Sequence, residues 1–87
     1  MNWFVYVILC SDASLYTGIT NDLERRLTQH ADGRGAKYFR GRRPGPVVYL
    51  EDGHTRSSAS KREAAIKKLS SQDKHQLIIA SAENQLR

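Results

Sequence analysis

The stretch Trp3–Cys10, WFVYVILC, constrains this chain more than any other feature. It is rich in aromatic and β-branched residues and shows no polar alternation, which predicts a strand buried on both faces. It falls far short of the roughly 20 apolar residues that a membrane-spanning helix needs. A doubly buried strand needs neighbours beside it and cover above and below. In 87 residues that leaves room for one domain, a small sheet with a few helices around it.

Ser11-Asp12-Ala13-Ser14 has turn chemistry, and Leu15–Thr20 (LYTGIT) reads as a second short strand. The two form an antiparallel hairpin. Gly18 inside the second strand marks a bulge, or a place where something approaches the backbone closely. Asn21 is read as a helix cap, with Glu24 completing a capping-box pattern. The helix then covers about 22–31, with Leu23, Leu27 and Ala31 as its apolar stripe and Gly33 as a left-handed cap behind it. Residues 36–45 read as loop with a short helical turn, because Pro44 and Pro46 disfavour regular structure. Val47–Leu50 is a third strand and Glu51-Asp52-Gly53 a turn.

A second helix is predicted from about Arg56 to Ser70, facing Ala59, Ile66 and Leu69 inward. Ser57, Ser58 and Ser60 are read as its cap chemistry, with Ser60 and Glu63 spaced as a capping box. Arg62 falls near the middle of the inward stripe and must snorkel out. A last helix from about Gln72 to Ala82 is capped by Ser71 and anchored by Leu77, Ile78 and Ile79. The domain is therefore expected to span residues 1–82, in the order β-β-α-β-α-α, with 83–87 as a frayed tail.

Fourteen Lys+Arg against nine Asp+Glu leave a formal charge of +5, which points to nucleic acid as partner. The charge is concentrated. Arg34, Lys37, Arg40, Arg42 and Arg43 fall together without an acidic residue, and Tyr38 and Phe39 sit among them. Cations that neutralise phosphates beside rings that stack on bases suit Arg34, Lys37, Tyr38, Arg40, Arg42 and Arg43 to nucleic-acid contact. A solvated basic loop fits the same patch equally well.

Cys10 is the only cysteine, so no intramolecular disulfide can form, which fits a reducing cytosol. No basic segment followed by an apolar one opens the chain as a signal peptide would. The expectation is a soluble cytoplasmic protein that does not engage a membrane. His30, His54, His75 and Cys10 lack zinc-ligand spacing. Gly33-Arg34-Gly35 is not followed by the Lys and Ser/Thr of a phosphate-binding loop. Nothing calls for a small-molecule cofactor, and oligomeric state is not legible.

Tyr6 and Tyr16 lie in the two strands of the hairpin, and alone they mean little, since half-buried strand tyrosines are common. Tyr16-Thr17-Gly18 leads directly into the helix bearing Arg26 and His30. These residues together resemble the GIY-YIG nuclease superfamily, whose members include homing endonucleases, some restriction enzymes and the incision subunit of bacterial excision repair. The family's first triplet matches Phe4-Val5-Tyr6 and its second Tyr16-Thr17-Gly18. The Arg and the His or Tyr four residues on match Arg26 and His30, and a Glu on a later helix matches Glu63. The resemblance covers about Trp3–Leu69 and departs from the pattern at Phe4, where the family has glycine. It implies a three-stranded antiparallel sheet flanked by helices, of α+β class, and a metal-dependent endonuclease using Mg²⁺ or Mn²⁺.

The residues suit such chemistry on their own terms. Phosphodiester hydrolysis needs an activated water, neutralised phosphate charge and help for the leaving oxygen. Arg26 can pair with phosphate oxygens through its planar fork, and His30, on the same side of the helix, titrates near neutrality. Tyr6 is the candidate general base or water-orienting hydroxyl, a base role needing a nearby cation to lower a phenol pKa of about 10. Tyr16 is the candidate for positioning phosphate or water. Glu63 is the candidate metal ligand, since one carboxylate plus water and phosphate oxygens is normal for Mg²⁺. Bland readings stand beside these: a surface arginine, an exposed helix-end histidine and a Glu63–Lys67 helix pair. The expected function is endonucleolytic cleavage, on DNA more readily than RNA, with weak sequence specificity. The alternatives are an inactive nucleic-acid-binding module of the same fold and a protein-interaction adaptor using the Leu77–Ile79 segment.

Overall fold

The apolar run forms the centre of the sheet. The computed structural model describes residues 2–32 and 43–85, with side chains as far as Ala82. In it β1 (Trp3–Cys10) lies between β2 (Leu15–Thr20) and β3 (Pro44–His54) and is antiparallel to both. Val5, Tyr6, Val7 and Ile8 are buried in succession, as a central strand covered on both sides requires. The helices are α1 (Leu23–Ala31), α2 (Arg56–Lys67) and α3 (Ser71–Gln85). The α+β architecture and the order β-β-α-β-α-α are those expected.

Strand alternation assigns the two faces of the sheet to different helices. Val5 and Val7 point to the face where Ala59 and Ile66 of α2 complete the core, with Leu77 and Ile78 of α3 packed against it. Tyr6, Ile8 and Cys10 point to the other face, where Leu23 and Leu27 of α1 pack together with Tyr16 and Val47. Each large side chain buried this way is worth about 1.5–3 kcal/mol. Ile79 is 49% exposed and does not share the anchoring role with Leu77 and Ile78.

Several local expectations are corrected. Asp22, not Asn21, caps α1, its carboxylate accepting from Arg25 N at 3.1 Å. Thr20 fixes this by bonding Asp22 twice, Oγ1 accepting from its N–H at 3.0 Å and donating to its carbonyl at 3.1 Å. Asp32 follows α1 as its C-cap, and Gly33 lies outside the described residues. The capping box of α2 is made by Thr55 and Ser58 rather than by Ser60 and Glu63. The helix stops at Lys67, short of Ser70. Ser70 Oγ accepts from Asp73 N at 3.1 Å, so Ser70 caps α3 and Ser71 is already its first residue. That helix continues past Ala82 to Gln85.

β3 is the largest departure. Pro44 and Pro46, read as barriers, lie inside it or at its start, and the supposed turn Glu51-Asp52-Gly53 is part of its extended run. Among the described residues β3 is an edge strand hydrogen-bonded only to β1, and at an edge a missing proline N–H can face away from the ladder. Its pairing with β1 shifts register between Trp3 and Val5, Val7 and Ile8, and Ile8 and Cys10. Gly53 takes a positive φ of 73°, which only glycine adopts without strain.

Arg62 resolves the conflict seen in its stripe by reaching β3. Its Nε donates to Glu51 Oε2 at 2.8 Å while the side chain stays 38% exposed. Tyr49 also donates to Oε2, and His54 Nε2 meets Oε1 at 2.8 Å. The other His54 nitrogen meets Ser58 Oγ of the α2 cap at 2.9 Å, so one carboxylate ties the edge strand to the start of α2. Burial would raise the Glu51 carboxyl pKa, but the hydrogen bonds from Tyr49, Arg62 and His54 outweigh it and hold it below its ordinary value. A carboxyl depressed in the folded state contributes stability above its unfolded pKa and loses it as pH falls through the folded one. Glu51→Gln is therefore expected to cost about 1 kcal/mol at pH 7, read by urea denaturation, with the difference from wild type shrinking towards pH 3. A deficit that stays constant with pH would show that the carboxylate's charge plays no part.

Candidate active site

The half of the sheet beneath α1 carries three aromatic side chains that meet. Tyr6 of β1 and Tyr16 of β2 are on the same face, because Ile8 pairs with Tyr16 and Tyr6 with Gly18. Their ring centroids are 6.2 Å apart. His30, from the last turn of α1, packs against both, 6.0 Å from Tyr6 and 5.4 Å edge-on to Tyr16. It is 1% exposed, so it is not a solvent-facing helix-end histidine. The inward stripe of α1 is Leu23, Leu27 and His30, while Ala31 is exposed. Tyr6 Oη and His30 Nε2 are 2.9 Å apart.

Gly18 makes room for this contact. A Cβ at position 18 would stand 2.6 Å from Tyr6 Oη and 3.0 Å from the Tyr16 ring, well inside van der Waals distance. The close approach expected at this glycine is made by the Tyr6 hydroxyl.

Arg26 lies one helical turn before His30, its Nη1 donating to Gln29 Oε1 at 3.1 Å. Its guanidinium acts on the hydroxyls of both Tyr6 and Tyr16. Burial pushes the Tyr6 hydroxyl up to about 12, the neighbouring Tyr16 adds to this, and Arg26 pulls the other way without prevailing. The cation anticipated beside Tyr6 is present, but the pocket's dryness dominates. Burial, and then the charge of Arg26, lowers the His30 pKa below its usual 6.5. Near neutral pH Tyr6 therefore keeps its proton and His30 stays uncharged, so the bond joins a phenol to a neutral imidazole. Arg26 and Gln29 also line a cleft with Thr20 and Arg25, open to solvent at the start of α1. Gln29 escaped the sequence reading, and its only signal was its place three residues after Arg26.

Glu63 is set elsewhere. It belongs to α2, which packs on the opposite face from α1. Its side chain is 24% exposed and its carboxylate lies 3.6 Å from Lys67 Nζ, the helix pair anticipated as its bland role. The ring contacts and hydrogen bonds join Tyr6, Tyr16, Arg26 and His30, whereas the ion pair of Glu63 is made within its own helix. Among the described residues, no three His, Cys, Asp or Glu side chains gather as a metal site. A partly exposed oxygen donor in a loose ion pair nonetheless fits a cation such as Mg²⁺, which takes one or two carboxylates and fills its shell with water and phosphate.

Of the basic stretch only Arg43 is described. It is exposed, and its backbone is clamped to the β1–β2 turn by Ser11, N–H to Oγ and N–H to carbonyl, both at 2.9 Å. Arg34, Lys37, Tyr38, Arg40 and Arg42 lie outside the described residues. No described helix is long and apolar enough to cross a membrane.

Comparison with known proteins finds relatives across most of the chain. The sequence model of the GIY-YIG catalytic domain matches residues 2–76. A UPF0213 protein of Desulfotalea psychrophila is 52% identical over 80 residues, covering 91% of this chain and 73% of that protein. One from Haloquadratum walsbyi is 51% identical over 74 residues, covering 85% and 83%. Among solved structures, the solution NMR structure of a UPF0213 protein from Bacillus halodurans is similar with a TM-score of 0.60 at 42% identity, covering 92% of this chain and 85% of the other. An NMR structure of a protein from E. faecalis gives 0.65 at 42% identity, covering 94% and 88%.

The cluster makes its own prediction. A histidine held neutral by burial resists protonation, so the His30 ring is expected to titrate below 6.5 in an NMR pH series. Its depressed pKa also means that stability falls as pH drops below the unfolded value, where the unfolded chain takes up the proton more readily. Tyr6→Phe removes the hydroxyl contact and is expected to shift the His30 titration, and an unchanged curve would rule out the Tyr6–His30 hydrogen bond in solution.

Proposed function

The chain belongs to the GIY-YIG family, and from that membership we propose that it is an endonuclease hydrolysing nucleic-acid phosphodiesters at the Tyr6–Tyr16–Arg26–His30 cluster. The observation that carries this reading is the buried Tyr6–His30 hydrogen bond at 2.9 Å with Arg26 beside it. A phenol held near 12 is a poor base alone. Coupled to a neutral imidazole, it can accept a proton from an attacking water while passing its own to His30 Nε2, so no free phenolate builds up. The oxygen of that water bonds to phosphorus as the bond to the leaving oxygen breaks, and the leaving oxygen takes a proton from solvent. Arg26, facing the open cleft, holds the phosphate and balances the charge that develops on it. Tyr16 orients the phosphate or the water by its hydroxyl.

Glu63 is the residue that would hold a divalent cation, Mg²⁺ or Mn²⁺, which when bound supplies positive charge to the phosphate. The net charge of +5 and the basic residues Arg34, Lys37, Arg40, Arg42 and Arg43, with Tyr38, support nucleic acid as substrate. DNA is the preferred class over RNA, read by backbone more than by sequence, in the cytoplasm. The Glu63–Lys67 ion pair, which occupies the candidate metal ligand, favours one alternative, a module of the same fold that binds nucleic acid without cutting it.

A cleavage assay on plasmid, single-stranded, branched and RNA substrates, with Mg²⁺, Mn²⁺ or EDTA, separates the two. Cutting is expected to require metal and to fall by about a hundredfold or more in Glu63→Gln and Tyr6→Phe, with binding retained. The rate is expected to drop at acid pH as His30 becomes protonated and can no longer accept. Salt-sensitive binding with no cutting on any substrate would leave the binding module as the function.

A further inference from the structure

Among the described residues, the face that carries the cluster is only partly roofed. α1 covers the β1–β2 side through Leu23, Leu27 and His30, whereas the β3 residue paired with Tyr6 is Leu50, 44% exposed. Phe4 precedes Tyr6 by two residues on β1 and so points to the same face. It is partly exposed, and neither Phe4 nor Leu50 is among the side chains packed into either core cluster. From Trp3↔His54 to Val5↔Glu51, β1 advances by two residues while β3 advances by three, so a bulge falls beside Phe4 and no β3 residue pairs with it. On its other side Phe4 pairs with Thr20, which is nearly buried, uses its hydroxyl on Asp22, and borders the cleft of Arg26 and Gln29. Cation, cleft, phenyl ring and leucine thus run side by side across the mouth of the site. The ring stands at the position where the GIY-YIG pattern has a glycine.

We propose that Phe4 and Leu50 form an apolar shelf that receives one nucleobase next to the phosphate held by Arg26, so that the strand presented to the site carries an unpaired base at that point. The proposal deepens the nuclease reading and rests on Arg26 as the phosphate contact. An aromatic ring stacks on any base through its π-face, which gives affinity without sequence preference. A base inside a duplex already has both faces covered and cannot use the shelf unless it leaves the stack. The substrate class that fits is a single strand, a flap or a bulge.

The test is binding, kept apart from cutting by measuring fluorescence anisotropy in EDTA. Probes are a labelled thymidylate 12-mer, the same strand with one abasic site moved along it, and a blunt duplex of equal length. Wild type is expected to bind the single strand more tightly than the duplex and to lose about tenfold when the abasic site falls at one particular position. Phe4→Ala is expected to lose about tenfold on the intact strand, to lose nothing further from that abasic site, and to bind duplex as wild type does. Phe4→Tyr restores the affinity if the ring stacks. Leu50→Ala, altering an exposed residue, gives a smaller loss and tests the shelf without touching the buried sheet. Equal losses on single strand and duplex, an abasic effect that persists in Phe4→Ala, or tighter binding to duplex would overturn the shelf. A protein that binds in this pattern but never cuts would overturn the nuclease reading and leave the shelf standing.

Discussion

The hydrogen bond between Tyr6 and His30 joins the two parts of the molecule that chemistry would need held still. Tyr6 is fixed by the central strand, paired on both sides. His30 is fixed by α1, the helix that roofs the cluster's side of the sheet. A nine-residue helix is too short to be stable alone, so its place depends on what its inner face meets. Leu23 and Leu27 supply apolar contact, and His30 supplies a contact with direction. The same bond sets the protonation pattern, because a neutral imidazole and a protonated phenol are the states that burial favours on both sides of it.

The sheet separates the larger apolar core from the polar cluster. On one face α2 and α3 bury Val5, Val7, Ala59 and Ile66, and Glu51 ties the edge strand to α2 through Arg62, His54 and Tyr49. On the other, buried polar side chains take places that could have gone to apolar ones. Burying a tyrosine hydroxyl and a histidine ring nitrogen is tolerable only when they satisfy one another. A strand that alternates between two such environments lets neighbouring residues of β1 serve different ends, Val5 and Val7 for the core and Tyr6 for the cluster.

The fold was legible where residue type and position agree. Uninterrupted β-branched and aromatic residues mark β1, and the short connection to LYTGIT marks the hairpin. The prolines of β3 were misleading because a residue that breaks a central strand is harmless on an edge, and edge status is decided by the whole sheet. Helix ends shifted by a residue or two where several Ser, Thr, Asp and Asn compete, as at Asn21 against Asp22 and Ser71 against Ser70. At the cluster, spacing put Arg26 and His30 on one side of a helix but could not tell that side from the solvent one. Ala31 was the better guess by hydropathy, since His30 becomes a buried residue only when Tyr6 is there to meet it. Arg62 was puzzling for the same reason, as its partner Glu51 lies eleven residues earlier on another element. Glu63 could be matched to a pattern, but where its carboxylate sits depends on how α2 is rotated against the sheet.

β3 bears on how the protein behaves at high local concentration. A three-stranded sheet that does not close leaves outer strands whose free amides and carbonyls can recruit a strand from another molecule. Proteins that crowd along a polyanion meet one another often, and fibre-like stacking of sheets would remove them from solution. Two prolines near the start of β3, three register shifts along it and a left-handed glycine before its end interrupt the regular row of donors that such stacking copies. The irregularities that hid this strand from a reading of the sequence are also a guard against polymerisation.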